Sequence, residues 1–306
     1  AGALQFYLEK TVTELLKRIN KKYKIRNFYF SGGVSMNVKM YKDIGNLNFV
    51  DFISVPPSGS DESLSIGACY CLSKNVPTKP LTNIYIGRNL SENGEKLNYS
   101  TLNKFFSNKK FKILKNFNHK NLAILLSKNE IIAVARHREE FGARALGNRS
   151  ILANPSNYDS VMRINESIKN RDFWMPFACS ILESKASEYL ELDVPASSYS
   201  FMTNCCFSSK KGKDLIPAAL HPYDQTCRPH IVIEGSNNGY EQLIKDFSSL
   251  TGTSAILNTS LNLHGLPIAS SLKDAVHVFI ESDLDAIITD TFLAIKPDVS
   301  SEIFSK

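Results

Sequence analysis

The stretch RHREEFGARALGNRSILANP, Arg136 to Pro155, sets four arginines around two glycines. Arg138, Arg144 and Arg149 are spaced too irregularly to share one helix face, so they are expected to converge from a loop. A guanidinium is planar, keeps its charge and offers paired donors, which suits it to a carboxylate or a phosphate. The adjoining glycines favour close approach of a ligand. Ion pairs to Glu139 and Glu140 are the structural alternative.

Three further strings carry polar chemistry. Lys169-Asn170-Arg171 precedes the aromatic cluster Phe173-Trp174-Met175-Pro176-Phe177, which suits either base stacking beside cations or plain core packing. HPYDQTCRPH, His221 to His230, places a proton-transfer candidate near Asp224, Thr226 and Arg228, whereas His230 reads as a structural hydrogen-bonding residue. In ILNTSLNLHGLP, alternation puts Asn258, Ser260 and Asn262 on one face, where amide and hydroxyl groups can hold a phosphate or a planar group. A plain polar strand face would look the same.

These residues need elements to position them. Asn27 to Phe30 reads as a strand running into the turn SGGVSMN, with a helix from Val34 onward. Gly32 and Gly33 at such a turn can aim backbone N–H groups at an anion, although a tight turn without a ligand would use the same residues. A second strand, Asp51 to Val55, is followed by a Pro-Pro-Ser-Gly-Ser-Asp loop and a helix Leu64 to Leu72, with Asp61 as a helix cap or a metal ligand. Two strand-loop-helix units in series put both loops at one edge of a parallel sheet. Glu130 to Ala135 reads as a buried strand, and a domain boundary is expected between Pro80 and Ser91, where Lys, Asn, Ser and Pro accumulate.

The 306 residues, 43% of them hydrophobic, suffice for about two globular domains and exclude a disordered chain. No apolar run reaches membrane-spanning length and no export signal is evident, which gives a cytoplasmic expectation. The net charge of +6 permits anionic small molecules as readily as nucleic acid. Six cysteines without zinc or disulfide spacing are expected to be reduced and mostly buried. Because the chain opens at Ala1 inside a helical pattern, it is expected to begin partway through a larger protein.

Taken together, these strings resemble the O-carbamoyltransferase family that includes the nodulation, cephalosporin and tobramycin carbamoylating enzymes. That family carries patterns such as GRxEFGPRALGxRSILADP, KxRxxxRPFAP, IPAxxHxxDxTxRxQ and TGxPxLLNTSFNxxGEPI. The chain reads RHREEFGARALGNRSILANP, KNRDFWMPFAC, IPAALHPYDQTCRPH and TGTSAILNTSLNLHGLPI in the same order. The match extends over nearly the whole chain.

The resemblance implies an α/β fold: the end of an actin/hexokinase-like ATPase domain over residues 1–85, then a YrdC-like domain with a twisted mixed sheet over residues 86–306. It also implies cleavage of carbamoyl phosphate, joining of the carbamate to ATP as carbamoyl-adenylate, and transfer of the carbamoyl group to a hydroxyl of a sugar, antibiotic or similar metabolite. Arg144, Arg149 and Arg228 would clamp phosphates, with Arg138 and Ser150 in support. Lys169 and Arg171 with Ser260 and Asn262 match a tetrad that holds nucleotide and intermediate, beside Asn258. His221 would move a proton. Gly32, Gly33 and Asn37 would touch nucleotide, and Asp61 would ligate iron or another divalent metal, with Mg²⁺ accompanying ATP.

The departures are Ala143 for the usual Pro, Met175 for Arg, Leu266 for Glu and Ser63 for Gly, together with the absence from this sequence of the family's metal-binding histidine pair. A non-catalytic or diverged nucleotide-binding subunit and a YrdC-like RNA-binding module are the alternatives. A separate or missing N-terminal half and a homodimer remain open as partners, and no membrane is implied.

Overall fold

The computed structural model describes residues 2–73, 83–90, 106, 111–115, 117–170 and 175–299. Arg171, Phe173 and Trp174 lie outside the described residues, as does all of the expected boundary segment except 83–90.

The chain opens with α1 (Gly2–Tyr23), β1 (Asn27–Tyr29), α2 (Val38–Gly45), β2 (Phe52–Ser54) and α3 (Leu64–Leu72). Strands β1 and β2 pair in parallel, and the N–H of Gly32 donates to the carbonyl of Gly59 at 2.6 Å, so both following loops share one edge as expected. The helix after the glycines begins later than the sequence suggests. Gly33–Met36 forms a 3₁₀ turn, and the side chain of Asn37 accepts from the N–H of Met40 at 3.2 Å, capping α2. Asparagine is a preferred cap because its short oxygen reaches an otherwise orphaned N–H of the first turn.

The remainder is built on a mixed sheet of eight strands in the order β10-β6-β11-β5-β4-β12-β13-β3. These are β3 (Lys112–Leu114), β4 (Ile132–Ala135), β5 (Arg149–Ala153), β6 (Ala178–Leu182), β10 (Pro229–Val232), β11 (Ala255–Ser260), β12 (Ala286–Ile288) and β13 (Leu293–Ile295). A second sheet of three short strands contains β7 (Leu190–Glu191), β8 (Cys206–Ser208) and β9 (Thr226–Cys227).

The central strands are buried along their whole length, because helices cover both faces. On one face, α4 (His119–Ser127) and α6 (Asn238–Thr251) pack Leu122, Leu125, Ile244 and Phe247 against Ile132, Val134, Leu152 and Ile256. On the other, α5 (Tyr158–Ile164) and α7 (Leu272–Ile280) pack Ile164, Val276 and Phe279 against Ala133, Ile151 and Leu257. The first elements join this second face. Leu16, Phe28, Tyr41, Ile44 and Ile53 share one core with Cys179, Ile181 and Ile231 of β6 and β10.

The architecture is thus α/β with a large mixed sheet. Four cysteines are buried as expected, whereas Cys69 and Cys71 of α3 are exposed, and none of the six is in a disulfide. Among the described residues, no helix is long and apolar enough to cross a membrane.

Candidate active site

Five strands deliver polar residues to one edge of the large sheet. Strand register sets Ser260 beside Ser150, and Asn258 beside Ala178. The chain leaves β4 after Ala135, loops through the arginine-rich segment and returns as β5, while Arg228 immediately precedes β10.

The loop is held from inside by Glu140. Its buried carboxylate accepts from the N–H groups of Leu146, Asn148 and Arg149, the latter two both at 3.3 Å, and burial raises its pKa despite those donors. Gly142 holds φ +115°, and a side chain there would meet the Pro57 carbonyl oxygen at 2.6 Å, so the loop lies directly on the segment after β2. The side chain of Glu139 accepts from the N–H of Arg88 at 3.2 Å. Glu139 and Glu140 therefore serve main-chain donors.

The arginines divide into two pairs, which corrects the expectation of one convergent cluster. Arg149 is fully buried, and its guanidinium donates to the carbonyls of Arg136, Asn148, His137 and Arg88 at 2.6–3.3 Å. Arg138 donates to the carbonyls of Gly87 and Ile86 at 2.9 and 2.5 Å. Both are tied to backbone oxygens beneath or beside the loop. Ser150 is likewise internal, accepting from the N–H of Gly147 at 2.9 Å. Arg144 and Arg228 instead line a cleft of about 430 Å³ together with Lys39, Met175, His221 and Asp224. A niche of about 40 Å³ shares Arg144, Pro176, Phe177 and Arg228 with this cleft and is also lined by Asn258 and Ser260.

Lys169 organises the floor of this edge. It is 1% exposed, and its ammonium donates to Ser260 O at 2.5 Å, Ser260 Oγ at 3.2 Å, Asn262 O at 3.0 Å and Asn262 Oδ1 at 2.6 Å. A buried ammonium is tolerated when oxygens replace its water shell. The Lys169 carbonyl meets His264 Nδ1 at 2.7 Å, which requires the proton on that nitrogen because a carbonyl can only accept. Lys169, Ser260 and Asn262 are thus brought together, as the family resemblance implied, and Asn258 is 0% exposed on the same strand as Ser260.

His221 lies in the cleft with its Nδ1 accepting from the N–H groups of Tyr223 and Asp224 at 3.3 and 3.4 Å. Burial pushes the Asp224 carboxyl up, but hydrogen bonds from Thr226 and the charges of His221 and Lys39 bring it below the ordinary carboxylate range. Lys39 Nζ stands 3.6 Å from Asp224 Oδ2. Reading the sequence missed Lys39, although it follows the cap of the helix that the glycine turn introduces. His230, in contrast, has the structural role expected of it. It is buried against Ser180 Oγ at 3.0 Å, and burial lowers its pKa to about 3.

The turn at Gly32 and Gly33 does not join this cleft. Only Gly32 of the two has positive φ, at +97°, and its N–H is committed to Gly59. Asn37 caps α2 and exchanges hydrogen bonds with Gln5 at 3.0 and 2.7 Å. Asp61 is exposed at the start of a 3₁₀ turn, and no cluster of three or more His, Cys, Asp or Glu exists among the described residues. A stable site needs several converging donors, so Asp61 as placed does not fit a metal centre. A larger cavity of about 740 Å³ lies between the two parts, with Phe52, Pro57, Ile84, Phe141, Phe201 and Ile233 in its walls. Apolar walls do not suit a polyanion, which directs attention to the smaller cleft.

Residues 123–296 match the carbamoyltransferase C-terminus family, and residues 1–70 match the carbamoyltransferase N-terminus family. The chain belongs to the carbamoyltransferase family. It is 32% identical to an uncharacterized protein of Methanocaldococcus jannaschii over 96% of this chain and 48% of that protein. It is 30% identical to nodulation protein NolO of Bradyrhizobium diazoefficiens over 100% of this chain and 56% of that one, and 29% identical to nodulation protein NolNO of Sinorhizobium fredii over 100% and 45%. The chain therefore spans about half the length of these relatives. Among solved structures, full-length HypF in its phosphate- and nucleotide-bound form aligns with 59% of this chain and 24% of its own at 14% identity and a TM-score of 0.40, too slight a likeness to carry an argument.

Proposed function

We propose that this chain is the adenylate-forming portion of an ATP-dependent O-carbamoyltransferase, with a YrdC-like sheet following the end of an actin/hexokinase-like domain. The observation that carries the reading is the presence of Arg144 and Arg228 in one cleft, with a neighbouring niche that shares both arginines and is lined by Ser260, which Lys169 holds. Carbamoyl phosphate and the ATP triphosphate are polyanions, and guanidinium groups already in place can stabilise charge that develops during transfer.

In this reading water cleaves carbamoyl phosphate into carbamate and inorganic phosphate. A carbamate oxygen then attacks the α-phosphorus of ATP, and pyrophosphate leaves. Carbamoyl-adenylate passes its carbamoyl group to an acceptor hydroxyl, releasing AMP and the hydroxyl proton. His221 acts at the first step. It lies in the cleft beside Asp224 and moves a proton as carbamoyl phosphate breaks down. Lys169 keeps Ser260 and Asn262 in place beneath the reacting groups. Mg²⁺ would enter with ATP, and no step is assigned to a metal at Asp61.

The test is pyrophosphate release from ATP by this chain with and without carbamoyl phosphate, for the parent and for Arg144→Ala. The expected result is release that requires carbamoyl phosphate and falls ~10²-fold or more in the variant. A folded parent that releases none, even with an N-terminal half supplied, overturns the enzyme reading. Met175, which lines the cleft where the family pattern has arginine, favours a second reading of ligand binding without turnover. ATP affinity without pyrophosphate release would select it.

A further inference from the structure

Lys39 brings a cation into the cleft from the first elements of the chain. It follows Val38 at the start of α2, and Cys205 Sγ donates to the Val38 carbonyl at 3.4 Å, so this helix end is fixed against the cleft wall. A cation in the first turn of a helix opposes the helix dipole, and α2 has no acidic residue there to offset it. Helix stability therefore does not account for a lysine at this position.

Nor is its ammonium committed elsewhere. Lys39 Nζ stands 3.6 Å from Asp224 Oδ2, too far for a hydrogen bond, and it makes no hydrogen bond to any other described residue. The two side chains are 53% and 20% exposed, and ion pairs so open to water contribute little. Asp224 does not depend on the pair either, since its Oδ1 accepts from the N–H of Thr226 at 3.1 Å and from Thr226 Oγ1 at 2.7 Å. Three N–H donors on Lys39 are thus available to an anion in the cleft.

Met175 lines the same cleft, is 36% exposed and occupies the position where the family pattern has arginine. A thioether carries no charge and donates no hydrogen bond. The cleft lacks a cation at that position, and α2 supplies one to the same space. Resting on the function proposed above, we propose that Lys39 binds the phosphate of carbamoyl phosphate beside His221 and supplies the positive charge that Met175 cannot. Asp224 joins the two residues, with Oδ1 3.4 Å from His221 Nδ1 and Oδ2 toward Lys39. Lys39 makes and breaks no bond. It holds the donor's phosphate while the proton moves, so the donor subsite is built from both parts of the chain.

The test uses the 306-residue chain. Pyrophosphate release gives KM for carbamoyl phosphate and for ATP, and inorganic phosphate as a competitor gives an inhibition constant. Lys39→Met is expected to raise KM for carbamoyl phosphate and the inhibition constant of phosphate ~10-fold each, with KM for ATP within ~2-fold of the parent. Adding Met175→Arg to Lys39→Met is expected to bring both back to within ~3-fold, and an exposed position admits arginine without repacking. Unchanged values in Lys39→Met overturn the proposal, and a lowered urea midpoint alongside them would make the Lys39–Asp224 pair a strut between the two parts. An equal rise in KM for ATP overturns it as a general loss of the cleft. A double variant no better than Lys39→Met overturns the exchange of charge between the two positions. No pyrophosphate from the folded parent removes the proposed reaction and this inference with it, whereas release that Lys39→Met leaves unaltered removes the inference alone.

Discussion

The glycine turns beyond β1 and β2 and the cleft at the edge of β5, β6 and β11 both sit where an α/β protein binds ligands, yet they spend their polar groups differently. At the turns, Gly32 bonds Gly59, Asn37 caps α2 and pairs with Gln5, and Asp61 faces solvent. Their polar groups close on the chain itself. At the cleft, Glu140 and Lys169 bond backbone and side-chain groups behind the surface, and Arg144, Arg228, His221, Lys39 and Asp224 line a common space. A polar motif becomes a site when a second, buried layer satisfies the chain's own needs.

The sharpest way to break this comparison is to remove the buried layer. Lys169→Met leaves the acceptor oxygens of Ser260 and Asn262 without their ammonium and should cost ~3 kcal/mol of stability in urea titration. It should also abolish carbamoyl-phosphate-dependent pyrophosphate release at temperatures where the variant is folded. Unchanged stability would show that the floor of the cleft does not depend on Lys169.

A smaller effect tests the same interior by pH. His230 has its pKa lowered from 6.5 to about 3 by burial. The unfolded chain therefore takes up a proton near pH 6.5 that the folded chain refuses, so stability present above that pH is lost as pH falls toward 3. Linkage predicts a loss of ~2 kcal/mol between pH 7 and pH 5 from this residue. His230→Gln should flatten the urea-midpoint profile over that window, and a profile with the parent's slope would refute neutral burial of His230.

The smallest effects belong to the turns. Asn37→Ala removes a helix cap and should cost ~1 kcal/mol without changing KM for ATP. Asp61→Ala should stay within ~0.5 kcal/mol of the parent, as exposed substitutions usually do, and should leave pyrophosphate release intact. A rise in KM for ATP in either variant would make the turns part of the site and erase the contrast with the cleft.

Much of this was legible in the sequence. The largely apolar run Glu130 to Ala135 announced a buried strand, and the helix Leu64–Leu72 fell between the expected ends. The pairing of Lys169 with Ser260 and Asn262, residues far apart in sequence, was expected only from the family resemblance. Other features were not legible, because they depend on where main-chain atoms lie. Asn37 took the cap role and shortened the expected helix, and Lys39 entered the cleft only because the first elements share a core with β6 and β10. Nothing local to Lys39 announces that contact.

The sequence by itself determined the supply of chemistry: four guanidinium groups within one segment, a lysine, and an Asn-Thr-Ser-Leu-Asn strand end, each with its charge and its donors and acceptors. The tertiary structure alone decided their use. Arg144 and Arg149 are five positions apart, but Arg149 points into a ring of carbonyl oxygens formed by three separated stretches of chain, and Arg144 lines the cleft. A guanidinium takes whichever oxygens surround it, and only the folded backbone sets which oxygens those are.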